Sequence, residues 1–391
     1  MPELLAIPMV TGQRVDVYSG IARMSGKIWA TLHRAATPTR TVAIVTHPAS
    51  NFMGHYLLEP LSARGIDAVG LTTRYLGNDS ALIMENVVLD MGAAISFLRS
   101  RGYQRVILIG NSGGGGAAAL YQAQAEHPSI THTPAGDPVD LTTADLPRAD
   151  ALVTLMAHPG RASVYTDWLD PAIVDETDPT RRDPDLDLYA ESRKAPYDKD
   201  FLDRYRAAQL ARNRRITAWV HEQLDELERS GSAVTDLPFV VHGTAADPRF
   251  LDLTLDPSDR TSGTLWGPPE EANMIPATLG HYTSLRSWLS QWSIDETNCD
   301  GPRQLPHTSV PTLVMYGTAD QVCFPSYAQA MYDAVPHERK KLVPVIGGTH
   351  YLQGQEEQIA FVADQVAAWA DEHFTSAGEQ LAGTAPAGGN R

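Results

Sequence analysis

Ser112 lies in a stretch whose residue types and spacing favour covalent chemistry. Residues 110–114, Gly-Asn-Ser-Gly-Gly, match the pattern Gly-x-Ser-x-Gly. The apolar run at 106–109 predicts a strand buried on both faces, and the strong helix formers at 117–126 predict a helix after it. A serine at such a strand-to-helix turn needs small neighbours, and the turn lifts its hydroxyl clear of the sheet. The pattern therefore predicts a nucleophilic serine.

A glycine-rich phosphate loop is the alternative interpretation of this stretch. No Lys-Ser or Lys-Thr pair follows the glycines, which excludes the nucleoside-triphosphate type of loop. The run Gly113 to Gly116 continues into alanines, so the Gly-x-Gly-x-x-Gly spacing of a dinucleotide loop is not met either.

A serine hydroxyl needs a general base, usually a histidine that a carboxylate orients. Two later strand-like runs end in such residues. The run at 313–316 leads into a loop carrying Asp320, and the run at 343–346 leads into a loop carrying His350. Because the carboxyl ends of parallel strands meet at one edge of a sheet, we expect both side chains to converge on Ser112.

Asp247 is the rival acid, because it too follows a strand-like run, at 238–243. No histidine-bearing strand comes directly after it, which favours Asp320. Four other histidines are interpreted as structural or pocket-lining groups rather than as bases: His47, His55, His158 and His281.

An oxyanion hole requires two N–H donors. Gly113, directly after the nucleophile, is predicted to supply the first. The second is expected from the loop after the strand at 41–46, and since Pro48 has no N–H, Ala49 is the first choice and Ser50 the next. The residues predicted to line the substrate pocket are Ser50, Phe52, His158 and Trp168.

The order of elements predicts the fold class. Strand-like and helix-like segments alternate from 41 to 156, which predicts a mostly parallel sheet with helices on both faces. The strand pattern resumes at 310–316. A structureless loop between them would be implausibly long, so the intervening segment is predicted to be a folded cap over the active site. The predicted divisions are a core at 1–158 and 309–375, a cap at 159–308 and a disordered tail at 376–391.

Within the cap, a charged helix is predicted at 197–229 and a short aromatic helix at 281–292. Substitution of a cap aromatic such as Trp168 is expected to change substrate preference more than stability. Most of the cap aromatics are expected to form its core: Tyr165, Trp168, Trp219, Trp266, Tyr282, Trp288 and Trp292.

Composition sets the expected class and compartment. The chain has 391 residues and a formal net charge of −16, which argues against nucleic acid and anionic membranes as partners. No basic leader precedes an apolar segment, and the two cysteines have no metal-ligand spacing. We expect a cytoplasmic protein with a small-molecule substrate, no cofactor, no metal and no membrane partner; a homodimer is left open.

These motifs resemble those of the α/β-hydrolase fold superfamily: GNSGG as the nucleophile elbow, GTADQV with the acid and GGTHY with the base. One departure is HPAS at 47–50, where many members have His-Gly-x. The resemblance implies a serine hydrolase that cleaves a small or medium carboxylic ester or lactone through an acyl-enzyme. The GNSxGG form is also similar to that of carbon–carbon bond hydrolases of the ring-cleavage or diketone type. That activity and acyl transfer are kept as alternatives, with a non-catalytic binding protein of the same fold as a remote one.

Overall fold

The structure is a computed structural model that describes residues 1–10, 26–231, 233–276 and 278–382. A strand that the sequence predicts at 15–18 lies outside the described residues. The strands are β1 (Glu3–Pro8), β2 (Lys27–His33), β3 (Thr41–Thr46), β4 (Asp67–Leu71), β5 (Arg105–Asn111), β6 (Ala151–Leu155), β7 (Pro238–Val240), β8 (Tyr282–Ser284), β9 (Thr312–Gly317) and β10 (Lys340–Val345).

Eight of these strands form the central sheet, in the order β1-β2-β4-β3-β5-β6-β9-β10. From β4 to β10 every neighbouring pair is parallel, while β2 runs antiparallel to both β1 and β4. The prediction of a mostly parallel sheet is confirmed. Strand β1 was not predicted from the sequence; its residues alternate between more and less buried positions at the sheet edge.

The helices are α1 (Leu58–Ala63), α2 (Met84–Ser100), α3 (Gly114–Glu126), α4 (Arg161–Trp168), α5 (Lys199–Arg229), α6 (Pro269–Met274), α7 (Leu285–Ser287), α8 (Gly301–Gln304), α9 (Pro325–Ala334) and α10 (Glu356–Ala382). Single 3₁₀ turns lie at Pro184–Leu186, Pro248–Phe250 and Leu305–His307. Helix α10 continues beyond residue 376, where the sequence predicted a disordered tail, and the described part of the chain ends at 382.

Both faces of the sheet are covered, as predicted. Successive residues of a strand point to opposite faces, so Val106 and Leu108 of β5 pack into one core with α2, α3 and α9. Ile107 and Ile109 pack into the other core, with α1 and α10. Because both faces of the central strands are buried, their sequences are continuous runs of apolar residues.

The chain leaves the sheet after β6 and returns at β9, although these two strands are hydrogen-bonded neighbours. The segment between them contains β7, β8, α4 to α8 and its own clusters of buried side chains. The long charged helix is present as α5. The aromatic helix predicted at 281–292 is wrong in its first half, because 282–284 pair with β7 as a strand. A π-helical turn, Trp288–Trp292, follows α7.

Within the described ranges, none of the helices combines the length and apolar character needed to cross a membrane.

Candidate active site

Ser112 occupies a sharp turn between β5 and α3. Its φ is +56°, in the left-handed region that a residue with a side chain rarely adopts. A Cβ on Gly110 would lie 2.2 Å from the Gly114 carbonyl oxygen, and one on Gly114 would lie 2.1 Å from the Thr46 carbonyl oxygen. Both glycines of the motif are therefore sterically required, and the strain is held at the residue whose hydroxyl the turn presents.

The structure brings Ser112, His350 and Asp320 into one hydrogen-bonded chain. His350 Nε2 lies 3.0 Å from Ser112 Oγ, and His350 Nδ1 lies 2.8 Å from Asp320 Oδ2. Asp320 is 0% exposed and His350 2% exposed. With Nδ1 facing a carboxylate, the ring carries its proton there and leaves Nε2 free to accept the serine proton.

Backbone contacts fix the acid and base loops relative to each other. β9 and β10 are in register through Val345 and Gly317, where both strands end. Beyond them, the Ala319 N–H donates to the Gly348 carbonyl at 3.0 Å. Asp320 Oδ1 accepts from the N–H groups of Val322 and Cys323, at 2.7 and 2.9 Å. One carboxylate oxygen is thus committed to its loop, and the other is directed at His350.

Asp247, the rival acid, lies in a different cluster. Its carboxylate is fully buried and forms ion pairs with Arg206 at 2.7 Å and Arg249 at 2.6 Å. Burial by itself would raise the pKa of Asp247, but the two guanidinium groups outweigh it and lower the pKa to about 2. No hydrogen bond of the described residues joins it to His350, so the structure assigns Asp247 to the packing of the inserted segment.

We expect Asp247→Asn to destabilise the fold by about 3 kcal/mol, because it leaves two arginines without their buried counter-charge. The carboxylate has a lower pKa folded than unfolded, about 2 against about 3.9. Its contribution is therefore present above pH ~4 and disappears as the pH falls through ~2. Denaturant unfolding of both proteins between pH 2 and 7 measures this. A deficit that stayed constant down to pH 2 would contradict the assignment.

The N–H groups of the residues predicted to form an oxyanion hole differ in their hydrogen bonds. Within the described residues, no hydrogen bond engages the N–H of Gly113. The N–H of Ala49 donates to His47 Nδ1 at 3.1 Å, and that of Ser50 donates to the same atom at 2.9 Å. Ala49 is therefore not an available second donor, because its amide is directed into the His47 ring.

Ser112 and His350 line a cavity of about 400 Å³. Three of the four predicted pocket residues line it: Ser50, His158 and Trp168. Phe52 does not. Its ring is buried, with its centroid 5.6 Å from that of His47 and 4.7 Å from that of His55, because the chain turns inward after Asn51.

The inserted segment forms one wall of this cavity, through Arg161, Trp168, Leu265, Trp266 and Leu279. Trp168 is also 1% exposed and packs against Phe250 and Trp266. Trp168→Ala would remove a core side chain, so a loss of stability is expected beside the predicted change in substrate preference. Three other large buried aromatics lie together in a separate cluster and do not line this cavity: Tyr165, Trp288 and Trp292.

The histidines around the elbow are held neutral. Burial, with Arg161 and His350, lowers the pKa of His158 to about 3. Burial also lowers the pKa of His55 to about 4, against the hydrogen bond to Asn111, which raises it. His55 Nδ1 accepts from the Leu57 N–H, so its Nε2–H donates to Asn111 Oδ1 at 3.2 Å and supports the strand before Ser112.

Arg161 is one of the cavity-lining residues that were not predicted from the sequence. It lines the cavity, is 2% exposed and pairs with Asp79 at 2.8 Å, and its guanidinium carbon lies 4.9 Å from the centre of the Trp292 ring. Asp79 also lines the cavity and comes from the segment before α2. The residue pattern around Arg161 in the sequence does not indicate these contacts, because Asp79 and Trp292 lie far from Arg161 in the chain.

Asp320, Cys323 and His350 have ligand atoms within 4.8 Å of one another, the spacing of a metal site. The hydrogen bonds already described account for both oxygens of Asp320 and for both ring nitrogens of His350. Burial, together with Asp320, raises the pKa of the Cys323 thiol well above its usual range. The arrangement fits a nucleophile, base and acid better than a metal centre.

No family model and no curated relative matches the sequence, but solved structures do. The chain is similar to the α/β hydrolase GrgF from Penicillium sp. sh18, with 11% identity, 95% of this chain and 99% of that chain covered, and a TM-score of 0.51. It is similar to DcsB in complex with its substrate analogue, with 12% identity, coverage of 95% and 99%, and a TM-score of 0.51. The chain has the α/β-hydrolase fold.

Proposed function

We propose that the protein is a serine hydrolase that cleaves a small or medium carboxylic ester or lactone through an acyl-enzyme. The observation that carries the proposal is the connected set of Ser112, His350 and Asp320, with the Ser112 Oγ to His350 Nε2 distance of 3.0 Å at a strained turn. A cavity of about 400 Å³ is in the range of small-ligand pockets.

In this mechanism Ser112 Oγ attacks the substrate carbonyl carbon and His350 Nε2 takes the hydroxyl proton. The carbonyl electron pair moves to oxygen, where the Gly113 N–H donates to the resulting oxyanion. Asp320 stabilises the imidazolium. His350 then returns the proton to the leaving alkoxide, and the acyl-enzyme forms. A water molecule, deprotonated by the same histidine, then attacks the ester carbonyl. The bond between the acyl carbon and Ser112 Oγ breaks, His350 returns the proton to Oγ, and the carboxylic acid leaves.

We also propose that residues 159–308 act as a cap domain on a core of 1–158 and 309–375. Support comes from the adjacency of β6 and β9 in the sheet and from the five cavity residues that the segment contributes. A wall built from an insertion would restrict water at the reacting carbonyl and would set the shape of the acyl or alcohol site.

Trp266 offers the sharpest test of that wall, because it is half-buried and lines the cavity without belonging to the fully buried core. Trp266→Ala is expected to change the ratio of kcat/KM for long and short acyl substrates by at least tenfold, with little loss of stability. Trp219→Ala is the matched control, since that ring is 40% exposed and outside this lining. Equal preference profiles for both variants and the wild type would remove Trp266 from the substrate site.

The test of the proposed activity is active-site labelling followed by a substrate panel. A fluorophosphonate should modify one residue, Ser112, and turnover should be fastest on esters or lactones. Faster cleavage of diketones would favour the carbon–carbon bond hydrolase, and transfer of the acyl group to an added alcohol would favour an acyltransferase. A folded protein that showed neither labelling nor turnover would favour the remaining alternative, a non-catalytic binding protein of the same fold.

A further inference from the structure

The two loop residues predicted to supply the second oxyanion donor have their N–H groups engaged elsewhere. Pro48 has no N–H, and the N–H groups of Ala49 and Ser50 both donate to His47 Nδ1. Of the three residues predicted to donate to a tetrahedral intermediate, Gly113 is the one whose N–H has no hydrogen-bond partner among the described residues. The question of the second donor rests on the proposed serine-hydrolase function.

The hydrogen bonds to His47 determine where its proton is. A ring nitrogen that accepts two N–H donors cannot carry a hydrogen, so Nδ1 is bare and the proton of the neutral ring is on Nε2. The ring is also kept neutral. Burial, followed by the charges of Arg161, His158 and His350, lowers the pKa of His47 well below its usual range.

His47 Nε2 lies against the elbow. It is 3.0 Å from the point where a Cβ on Gly113 would stand, and His47 lines the same cavity as Ser112 and His350. In the described part of the chain, no carbonyl or side chain accepts a hydrogen bond from Nε2, whereas Nδ1 has two partners. The ring therefore presents an unused N–H beside the residue that supplies the first oxyanion donor.

We propose that the neutral imidazole of His47 is the second oxyanion donor, through Nε2–H. When Ser112 Oγ bonds to the carbonyl carbon, the carbonyl electron pair moves to oxygen and the serine proton goes to His350. The Gly113 N–H and the His47 Nε2–H both donate to that oxyanion, and His47 keeps its proton throughout. When the tetrahedral intermediate collapses, the electron pair returns to the carbonyl and the leaving group takes the proton from His350.

Neutrality suits this role. A cationic His47 would oppose the imidazolium that forms on His350, whereas a neutral ring stabilises the oxyanion through a fixed dipole. The two amides that donate to Nδ1 also polarise the ring, which strengthens the Nε2–H as a donor. The loop amides of Ala49 and Ser50 then act on the oxyanion indirectly, through the imidazole.

Two substitutions separate this role from a purely structural one. The side-chain oxygen in His47→Asn can still accept from the amides of Ala49 and Ser50, as in an Asx turn, but no donor replaces Nε2–H. The longer amide in His47→Gln reaches the Nε2 position and can donate there, but it leaves the loop amides without their acceptor. His337→Asn is the matched control, because it changes a half-buried histidine between α9 and β10, outside the cavity.

For His47→Asn we expect kcat to fall by about 10²- to 10³-fold with KM within a few-fold of wild type. Binding of a trifluoromethyl ketone analogue should weaken by a similar factor, while binding of the carboxylic acid product should not. His47→Gln should retain at least tenfold more kcat than His47→Asn, and His337→Asn should match wild type. Thermal melts confirm that each variant is folded.

A wild-type kcat in His47→Asn would overturn the proposal. An equal loss of kcat in both His47 variants, together with equally weakened binding of the ketone analogue and the acid product, would overturn it too. If His47→Asn does not fold, Gly113→Ala serves instead, because its methyl group would stand 3.0 Å from Nε2 and block that donor. A wild-type kcat there would also overturn the proposal. These failures differ from failure of the proposed function, which would show as no labelling of Ser112 in the wild-type protein.

Discussion

Replacing Ser112 with alanine is expected to reduce kcat by about 10⁴- to 10⁶-fold, the loss typical when the nucleophile of a serine hydrolase is removed. The acyl-enzyme cannot form, and His350 has no hydroxyl to deprotonate. The substitution removes a single oxygen from a side chain that is 7% exposed at a turn, so the melting temperature should change little. Initial rates on the best ester from the panel, with circular dichroism as a check of folding, measure both quantities.

The control for Ser112→Ala is Ser62→Ala, which removes a hydroxyl that bonds the Glu59 carbonyl on α1, far from the elbow in the chain. It should leave kcat and fluorophosphonate labelling as in the wild type. A folded Ser112→Ala variant that hydrolysed its substrate at the wild-type rate would place the nucleophile elsewhere and would remove the basis of the proposed mechanism.

The elbow was predictable because its requirements are local. A glycine pattern of five residues, a strand before it and a helix after it are enough to place Ser112, and the close approaches at Gly110 and Gly114 explain the pattern sterically. The acid and base loops were predictable for a related reason, since Asp320 and His350 each follow a buried strand, and parallel strands end at a common edge.

The inserted segment was less predictable because its contacts join residues that lie far apart in the chain. The acidic stretch beginning at Asp167 is rich in Asp and Pro and poor in core-forming residues. In the structure Asp170 is fully buried, pairs with Arg182 at 3.0 Å and accepts from Asn273 at 2.7 Å. Asp167 shares Arg249 with Asp247. Composition gives the number of charged residues but not their partners. Residues in buried ion pairs therefore cannot be distinguished from exposed charged residues by composition.

The loop after β3 was also only partly predictable from the sequence, because the orientation of its backbone amides depends on individual hydrogen bonds. The sequence could exclude Pro48 as a donor and propose Ala49, but the orientation of an amide depends on the nearest acceptor. That acceptor is the ring of His47, two residues earlier. Phe52 was predicted to line the pocket and does not, for a comparable reason. An aromatic residue in a loop can face either the pocket or the core, and its packing with other side chains decides which.

Replacing Asp320 with asparagine is the second large expected effect, a loss of about 10⁴-fold in kcat. Asparagine can keep its oxygen towards the amides of Val322 and Cys323, and its NH₂ group then faces His350 Nδ1. Two donors cannot face each other, so the imidazole must move its proton to Nε2. In that tautomer it cannot accept the proton of Ser112. Asp247→Asn is the control, expected to lower the melting temperature while leaving kcat per folded molecule unchanged. Matched kinetics on the two purified variants give the ranking, and the reverse order would move the acid from Asp320 to Asp247.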